Sequence, residues 1–523
     1  MKLPSFCVLA LSLLCAARTF AQITTSQYDN SRTGATLAEK ILIPQVVNSK
    51  QFGKLGAFKV DGAVFAQPLI VPGVEIAGKG KHDVLFVATE HDSVYAFDAG
   101  NPNAPPLWQV SLLDKKLGTT PISGRDTQCP FIQPEVGVTS TPVIDLESGT
   151  IYVLARTTAG HYLSSDQYFQ HLHALAITTG AEKFGGPKLI TASISGKGAG
   201  SKNGQVAFDP LRENPRAALV LANETLYLTW GSSCDVDPYH GWIMAYDART
   251  LGQKAVFNIT PDGSEGGVWA SDTGPAADAD GNVYVPTANG TFDAAAGGRN
   301  LGDSVLKIFV QGDSIVVRDS FTPHNQEQLS NEDADLGSSG PLLLPDQPGP
   351  HRRLLLQPTK GARIYVLDRD RLGGFHSERD DVVQILRMEG GGYGAMSYWN
   401  GHVYFAASDD YLRDYAVVAG QLSLNKTSLT KFRNPGATPT VSANGAKDAI
   451  VWAIATKVWN GEDRPAILYA FDAANISEPL YTSEQESARD RAALATRFSI
   501  PVVFNGHVYF SARGEVEMYG LLK

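Results

Sequence analysis

The chain has 523 residues, of which 43% are hydrophobic and 19% charged, a globular composition that excludes a disordered or fibrous protein. A formal net charge of -10 without any basic stripe argues against a nucleic-acid partner. Four cysteines exclude a disulfide-rich scaffold, and without a CxxC pair or an HExxH motif a zinc site has no support. Residues 1–21, MKLPSFCVLALSLLCAARTFA, carry Lys2, then an apolar run from Phe6 to Ala17 too short to span a bilayer. Thr19-Phe20-Ala21 follows, with small residues at the two positions a signal peptidase reads. This is the pattern of an export signal; an uncleaved anchor is the alternative. No later apolar run approaches membrane length. The mature chain is therefore expected to be periplasmic or secreted and not membrane-spanning. An oxidising compartment leaves two states open for Cys129 and Cys234, a disulfide or two free buried thiols.

From residue 66 onward the sequence repeats. One segment type reads VYAFDA at 94–99, LHALAI at 172–177, IMAYDA at 243–248 and SVLKIF at 304–309. It continues as IYVLDR at 364–369, LRDYAV at 412–417, LYAFDA at 468–473 and VEMYGL at 516–521. These segments alternate apolar with polar or small residues, as half-buried strands do. An apolar, aromatic-rich strand precedes each copy, as in DVLFVAT at 83–89 and GHVYFAA at 401–407. A third strand, often with Pro, comes before that, as in AQPLIVP at 66–72 and SIPVVF at 499–504. An outer strand follows some copies, as in PLWQVSL at 106–112.

Four short antiparallel strands per unit, repeated about eight times, predict an all-β protein, an eight-bladed β-propeller. One four-stranded sheet cannot bury both faces, but neighbours packed around an axis can. The last unit ends at Lys523 with no outer strand of its own, and GKLGAFKVDG at 53–62 is free to supply it. Residues 22–523 are thus expected to form a single propeller domain, with 187–210 and 288–302 as loops. Asp98, Asp247 and Asp472 fall at one position of the repeat, where a carboxylate can accept hydrogen bonds from the next turn.

The repeat resembles that of pyrroloquinoline-quinone (PQQ) propeller proteins, in which a valine-tyrosine-alanine-leucine-aspartate-alanine strand precedes a turn and an outer-strand Trp. Residues 266–374 resemble the quinoprotein alcohol dehydrogenases more closely. The family runs from a Trp through Gly-Asn-Gly/Pro, Gly-Asp, Thr-Pro-His and an Asp-rich turn to a Lys or Arg. This chain has GGVWAS with Trp269, NVYVPTANGTFD with Asn289, LGDSVLKI with Asp303, FTPHNQ with His324, then DADLGSSG, and PTKGARIYVLDR with Lys360. The resemblance implies PQQ and Ca²⁺ on the propeller axis. It makes Trp269 a stacking floor for the quinone, Asn289 a Ca²⁺ ligand, and Asp303 both a ligand and the general base. Lys360 would be the cation beside the reactive quinone oxygens. His324 is expected to be structural.

The chain also departs from the pattern. The family's Ca²⁺-binding Glu has no counterpart in GSSCDVDPYHGWIMAYDA at 231–248, so Asp235 or Asp237 would substitute. The family's adjacent cysteine pair falls near Cys129, which is single, and the Arg after that pair has no clear counterpart. Descent from this pattern would put Cys129 and Cys234 together at the axial mouth, within disulfide reach. Without a haem-attachment CxxCH, electrons would leave to a separate carrier. Two functions follow. One is an exported quinoprotein-type oxidoreductase acting on a small molecule, an alcohol or sugar. The other is a non-catalytic propeller scaffold that binds proteins at the cell envelope.

Overall fold

The structure, a computed structural model, describes residues 22–160, 167–271, 273–456 and 463–523. The export signal read in residues 1–21 lies outside the described residues. The chain forms an eight-bladed propeller of four-stranded antiparallel sheets. Blade 1 is Leu69–Ile76, Gly80–Ala88, Ser93–Asp98 and Trp108–Ser111, paired in that order from the axis outward. Blades 2 to 7 repeat the plan from Val143–Asp145, Val220–Ala222, Ala276–Ala277, Leu342–Leu343, Ser397–Trp399 and Thr440–Asn444. In blade 8, His507–Leu521 pairs with Val502–Phe504 at its start and with Phe52–Ala63 at its end. The N-terminal strand thus joins the C-terminal blade, in register from Phe52↔Leu521 to Ala63↔Arg513.

The repeat residues explain themselves in contacts between blades. Tyr152 donates its hydroxyl hydrogen bond to Ala248 O (2.7 Å), Tyr404 to Ala473 O (3.0 Å) and Tyr509 to Ala99 O (2.9 Å). In each case an aromatic strand of one blade is tied to the residue after the VYAFDA-type strand of the next, and the last of these bonds joins blade 8 to blade 1. Trp108 Nε1 likewise donates to Ile177 O at 3.0 Å. The repeat Asp carboxylates accept from the turn that follows: Asp98 from Gly100 N–H, Asp247 from Arg249 and Thr250 N–H, and Asp472 from Ala474 N–H. The apolar core is divided into wedges between neighbouring blades. Leu228, Trp230 and Met244 of blade 3 pack with Tyr152 and Leu172 of blade 2, for example.

Two features were not legible in the repeat. Within 187–210, Lys188–Leu189 is the outer strand of blade 2, and Ser193–Ser195 pairs with Gln205–Ala207 as a hairpin. Ile194 and Val206 face each other there and give the hairpin its only apolar pair. More consequential is the segment 23–34, which touches all eight blades. Its main chain bonds to Ile70, Ile144, Ala277, Leu343, Tyr398 and Val441, one inner-strand residue from each of six blades. Asn30 Nδ2 donates to Leu221 O in blade 3, and Tyr28 accepts from Val503 N–H in blade 8. Arg32, 0% exposed, donates to Pro275 O, Thr25 Oγ1 and Ser26 O from the centre of this pin. Among the described residues, no helix is long and apolar enough to cross a membrane.

Candidate functional site

The loops that enter the inner strands and the hairpin loops beside them converge on a cavity of about 460 Å³. Its wall includes Cys129, Cys234, Asp235, Trp269, Asp333, Asp335 and Lys360, drawn from five different loops of blades 2 to 5. Residues distant in sequence meet here because propeller topology brings equivalent loops to one end of the axis. Arg216, Tyr393, Arg497 and Phe498 complete the far side. There the Arg497 guanidinium lies 3.9 Å from the Phe131 ring centroid, and that of Arg216 lies 4.8 Å from the Phe498 centroid.

Trp269 sits between blades 3 and 4. A Cβ added to Gly231 would come within 3.1 Å of its indole Cε3, so the ring packs directly on backbone and leaves no room for a side chain below it. Cys129 and Cys234 form a disulfide with Cα atoms 5.5 Å apart, a cross-link spanning 105 residues. Lys360 Nζ donates to Asp333 Oδ1 and, at 3.3 Å, to Asp335 Oδ2. Asn289 is drawn into the same group. Its main-chain N–H donates to Asp335 Oδ1 at 3.2 Å and its Nδ2 to Asp333 Oδ1 at 2.9 Å. Its side-chain oxygen Oδ1 is left buried without a hydrogen-bond partner.

Asp303 does not line the cavity. It is 0% exposed, in a left-handed backbone with φ 46°, behind the wall. Its Oδ1 accepts from Leu336 N–H at 3.1 Å and its Oδ2 from Gln326 Nε2 at 3.2 Å. A carboxylate enclosed in this way braces the peptide that follows Asp335 and does not border the cavity. Asp237 is exposed and also off the wall, so of the two substitutes for the missing Glu it is Asp235 that borders the cavity. His324 pairs with Asp380 through its N–H (2.7 Å) and Nδ1 (3.0 Å), away from the wall.

Asp235, Asp333 and Asp335 share the wall with Lys360, and Arg216 and Arg497 stand on the far side; burial dominates the proton affinities of the acids here. Burial, against the opposing pull of Lys360, pushes Asp335 up to about 6. Burial also raises Glu265 to about 7, helped by the charges of Asp237, Asp235, Asp335 and Asp333. Asp303 is raised to about 7, again mainly by burial. Asp235 is raised by the surrounding walls, although its tip opens onto solvent, and the Tyr239 hydroxyl that donates to its Oδ1 at 2.8 Å opposes that rise. Burial alone would lower Lys360, but Asp335 and Asp333 outweigh it and hold the ammonium above its ordinary value. An excess of hard oxygen donors around one ammonium, with an orphaned amide oxygen among them, fits a hard divalent cation. Among the described residues no three His, Cys, Asp or Glu side chains converge closely enough to hold a metal unaided.

Asp335, Asp333 and Glu265 were not singled out in the sequence. The first two lie in the quoted DADLGSSG turn, but spacing alone does not say which Asp of that turn faces the axis. Glu265 precedes the GGVWAS motif, outside the stretch where the family's Glu would fall.

No protein-family model matches the chain, and no curated protein sequence matches it. Solved structures do share the fold. The quinohemoprotein alcohol dehydrogenase from Comamonas testosteroni aligns over 97% of this chain and 81% of its own, with a TM-score of 0.62 and 15% identity. Quinohemoprotein alcohol dehydrogenase ADHIIG from Pseudomonas putida aligns over 96% and 80%, with a TM-score of 0.60 and 14% identity. A europium-containing methanol dehydrogenase aligns over 96% and 98%, with a TM-score of 0.54 and 13% identity. The chain therefore has the eight-bladed propeller fold of the quinoprotein alcohol and methanol dehydrogenases.

Proposed function

We propose that the protein is an exported, periplasmic or secreted quinoprotein-type oxidoreductase that binds PQQ and Ca²⁺ in the axial cavity and oxidises an alcohol or a sugar. The observation that carries this reading is the convergence on one cavity of Trp269, the disulfide, and Lys360 between Asp333 and Asp335, with the buried, orphaned Asn289 oxygen behind those two acids and off the wall itself. PQQ, when bound, supplies a two-electron acceptor, and Ca²⁺ a Lewis acid. Trp269 offers the flat apolar face on which a planar quinone stacks. Asn289 Oδ1 and the Asp235 carboxylate are the ligands this chain offers the cation, with oxygens of the cofactor needed to complete the shell. Lys360 would supply positive charge to offset what builds on the acceptor as it is reduced.

The proton of the substrate hydroxyl goes to Asp335. The sequence pattern gave this role to Asp303, but Asp335 is the carboxylate on the wall, and its affinity near pH 6 suits a base working near neutrality. Asp303 then acts behind it, holding the Leu336 N–H and so the orientation of the Asp335 backbone. Electrons leave to a separate carrier. The test is dye-linked alcohol and sugar oxidation after reconstitution with PQQ and Ca²⁺. Turnover that Asp335→Ala abolishes supports the reading. No turnover with any primary alcohol or aldose, in protein that is folded and loaded, leaves a binding scaffold.

A further inference from the structure

The loop that carries Asp235 is held in an unusual way. Among the described residues, no main-chain to main-chain hydrogen bond links 233–238 to another segment; 234–235 form only a local turn. Cys234 and Asp235 are consecutive left-handed residues, with φ 56° and 52°, a conformation that non-glycine residues seldom adopt in succession. Three tethers remain. Ser232 Oγ accepts from Asp235 N–H at 2.8 Å, the Tyr239 hydroxyl donates to Asp235 Oδ1 at 2.8 Å, and the disulfide fixes Cys234 to Cys129. Among the described residues, only the disulfide makes a covalent or hydrogen-bonded link from this loop to a different blade connection, the stretch before blade 2. It does so one residue before the carboxylate that the cavity needs.

We propose that the Cys129–Cys234 disulfide is a positioning device for Asp235, so that the cation affinity of the cavity depends on the redox state of that pair. The proposal rests on the quinoprotein reading above. The switching step balances with an external dithiol. The Sγ–Sγ bond breaks, the two cysteines take up two electrons and two protons, and the dithiol becomes a cyclic disulfide. Freed of the cross-link, residues 233–238 lose the left-handed pair, and Asp235 leaves the wall. The remaining ligand, Asn289, stays in place because its anchors, Asp333 and Asp335, lie on a different loop. Cation binding weakens without abolition of the cavity.

The experiment is calorimetric Ca²⁺ titration, with PQQ present, of five samples whose far-UV spectra are native. They are the oxidised protein, the dithiol-treated protein, Cys129→Ser/Cys234→Ser, Asp235→Asn, and Asp235→Asn treated with dithiol. Reduction and the double serine variant are each expected to weaken Ca²⁺ binding about 10- to 100-fold, the range for losing a supporting partner of a ligand. Asp235→Asn is expected to weaken it comparably, with no further loss on reduction, because the disulfide acts through that carboxylate. A general loosening would instead add to the Asp235→Asn effect. An oxidised protein that binds Ca²⁺ with an affinity unchanged by reduction overturns this proposal alone, as does a loss on reduction that is equal in wild type and Asp235→Asn. An oxidised protein that takes up neither Ca²⁺ nor quinone overturns the functional reading and this proposal with it.

Discussion

At one end of the axis, residues 23–34 hold the inner strands mainly through main-chain hydrogen bonds around the buried Arg32. At the other, side-chain carboxylates of Asp235, Asp333 and Asp335 gather around Lys360, in a cavity open to solvent. The first arrangement holds one charge among fixed oxygens through Nε and Nη1, with Nη2 buried and without a hydrogen-bond partner, and most of its bonds come from main-chain groups. The second buries carboxylates beside one another, and burial first, with their mutual charge after it, raises their proton affinities, which costs stability unless a cation arrives. The difference teaches that the two ends answer to different demands. One ties the inner strands of the blades together, and the other leaves a cavity lined by charged side chains.

The largest expected effect is at the closed end. A chain begun at residue 40 loses the pin to all eight blades and is expected not to fold. Arg32→Ala keeps the main chain but strands Pro275 O, Thr25 Oγ1 and Ser26 O, at a cost of about 1–3 kcal/mol for each acceptor that water does not reach. Urea unfolding at constant m-value reads it out. A loss below 1 kcal/mol, on the order of a single surface contact, would deny the pin its role.

At the open end, Asp335→Ala is expected to abolish turnover with little change in melting temperature. Asp303→Ala should lower both, because the braced loop loosens. Equal melting losses in the two variants would erase the distinction between a wall carboxylate and a brace. Trp269→Ala is expected to weaken PQQ binding by about 1–3 kcal/mol, by analogy with bases stacked on aromatic side chains. An unchanged affinity in a quinone fluorescence titration would show that the indole is packing and not a floor.

The smallest effect is the dependence on pH. Asp335, Asp303 and Glu265 are raised to about 6, 7 and 7 from ordinary values of 3.8, 3.8 and 4.5. The folded chain therefore holds protons that the unfolded chain has released, and this contribution to stability is lost as pH rises from about 4 to about 7. Calorimetric melting without Ca²⁺ should show that decline, Glu265→Gln should make it shallower, and Ca²⁺ should offset it most near pH 7. A Ca²⁺ effect equal at pH 5 and pH 7 would separate the cation from these acids.

The closed and open ends also differ in how far the sequence reveals them. The blades are legible because each strand repeats its alternation, and the Tyr and Asp positions recur with one partner each, as in Tyr404 to Ala473 O and Asp472 to Ala474 N–H. The pin is not legible, because residues 23–34 bond through main-chain groups that any sequence carries. In the site, Trp269 and Lys360 stand on motifs with few alternatives, and both reach the wall. The base position was harder. Gly302-Asp303 and DADLGSSG both offer an Asp after a turn, and only the left-handed backbone of Asp303, which turns it onto Leu336 and Gln326, separates a brace from a wall residue.

Calorimetric titration of the intact protein with PQQ, in the presence and absence of Ca²⁺, tests most directly whether the open end is a cofactor site. The account expects one quinone per chain, bound more tightly with Ca²⁺ than without it, with the gain removed by Asp235→Asn. No binding at concentrations of tens of micromolar quinone, with Ca²⁺ present and the disulfide intact, would contradict it and return Trp269, Asn289, Asp335 and Lys360 to turn and packing roles.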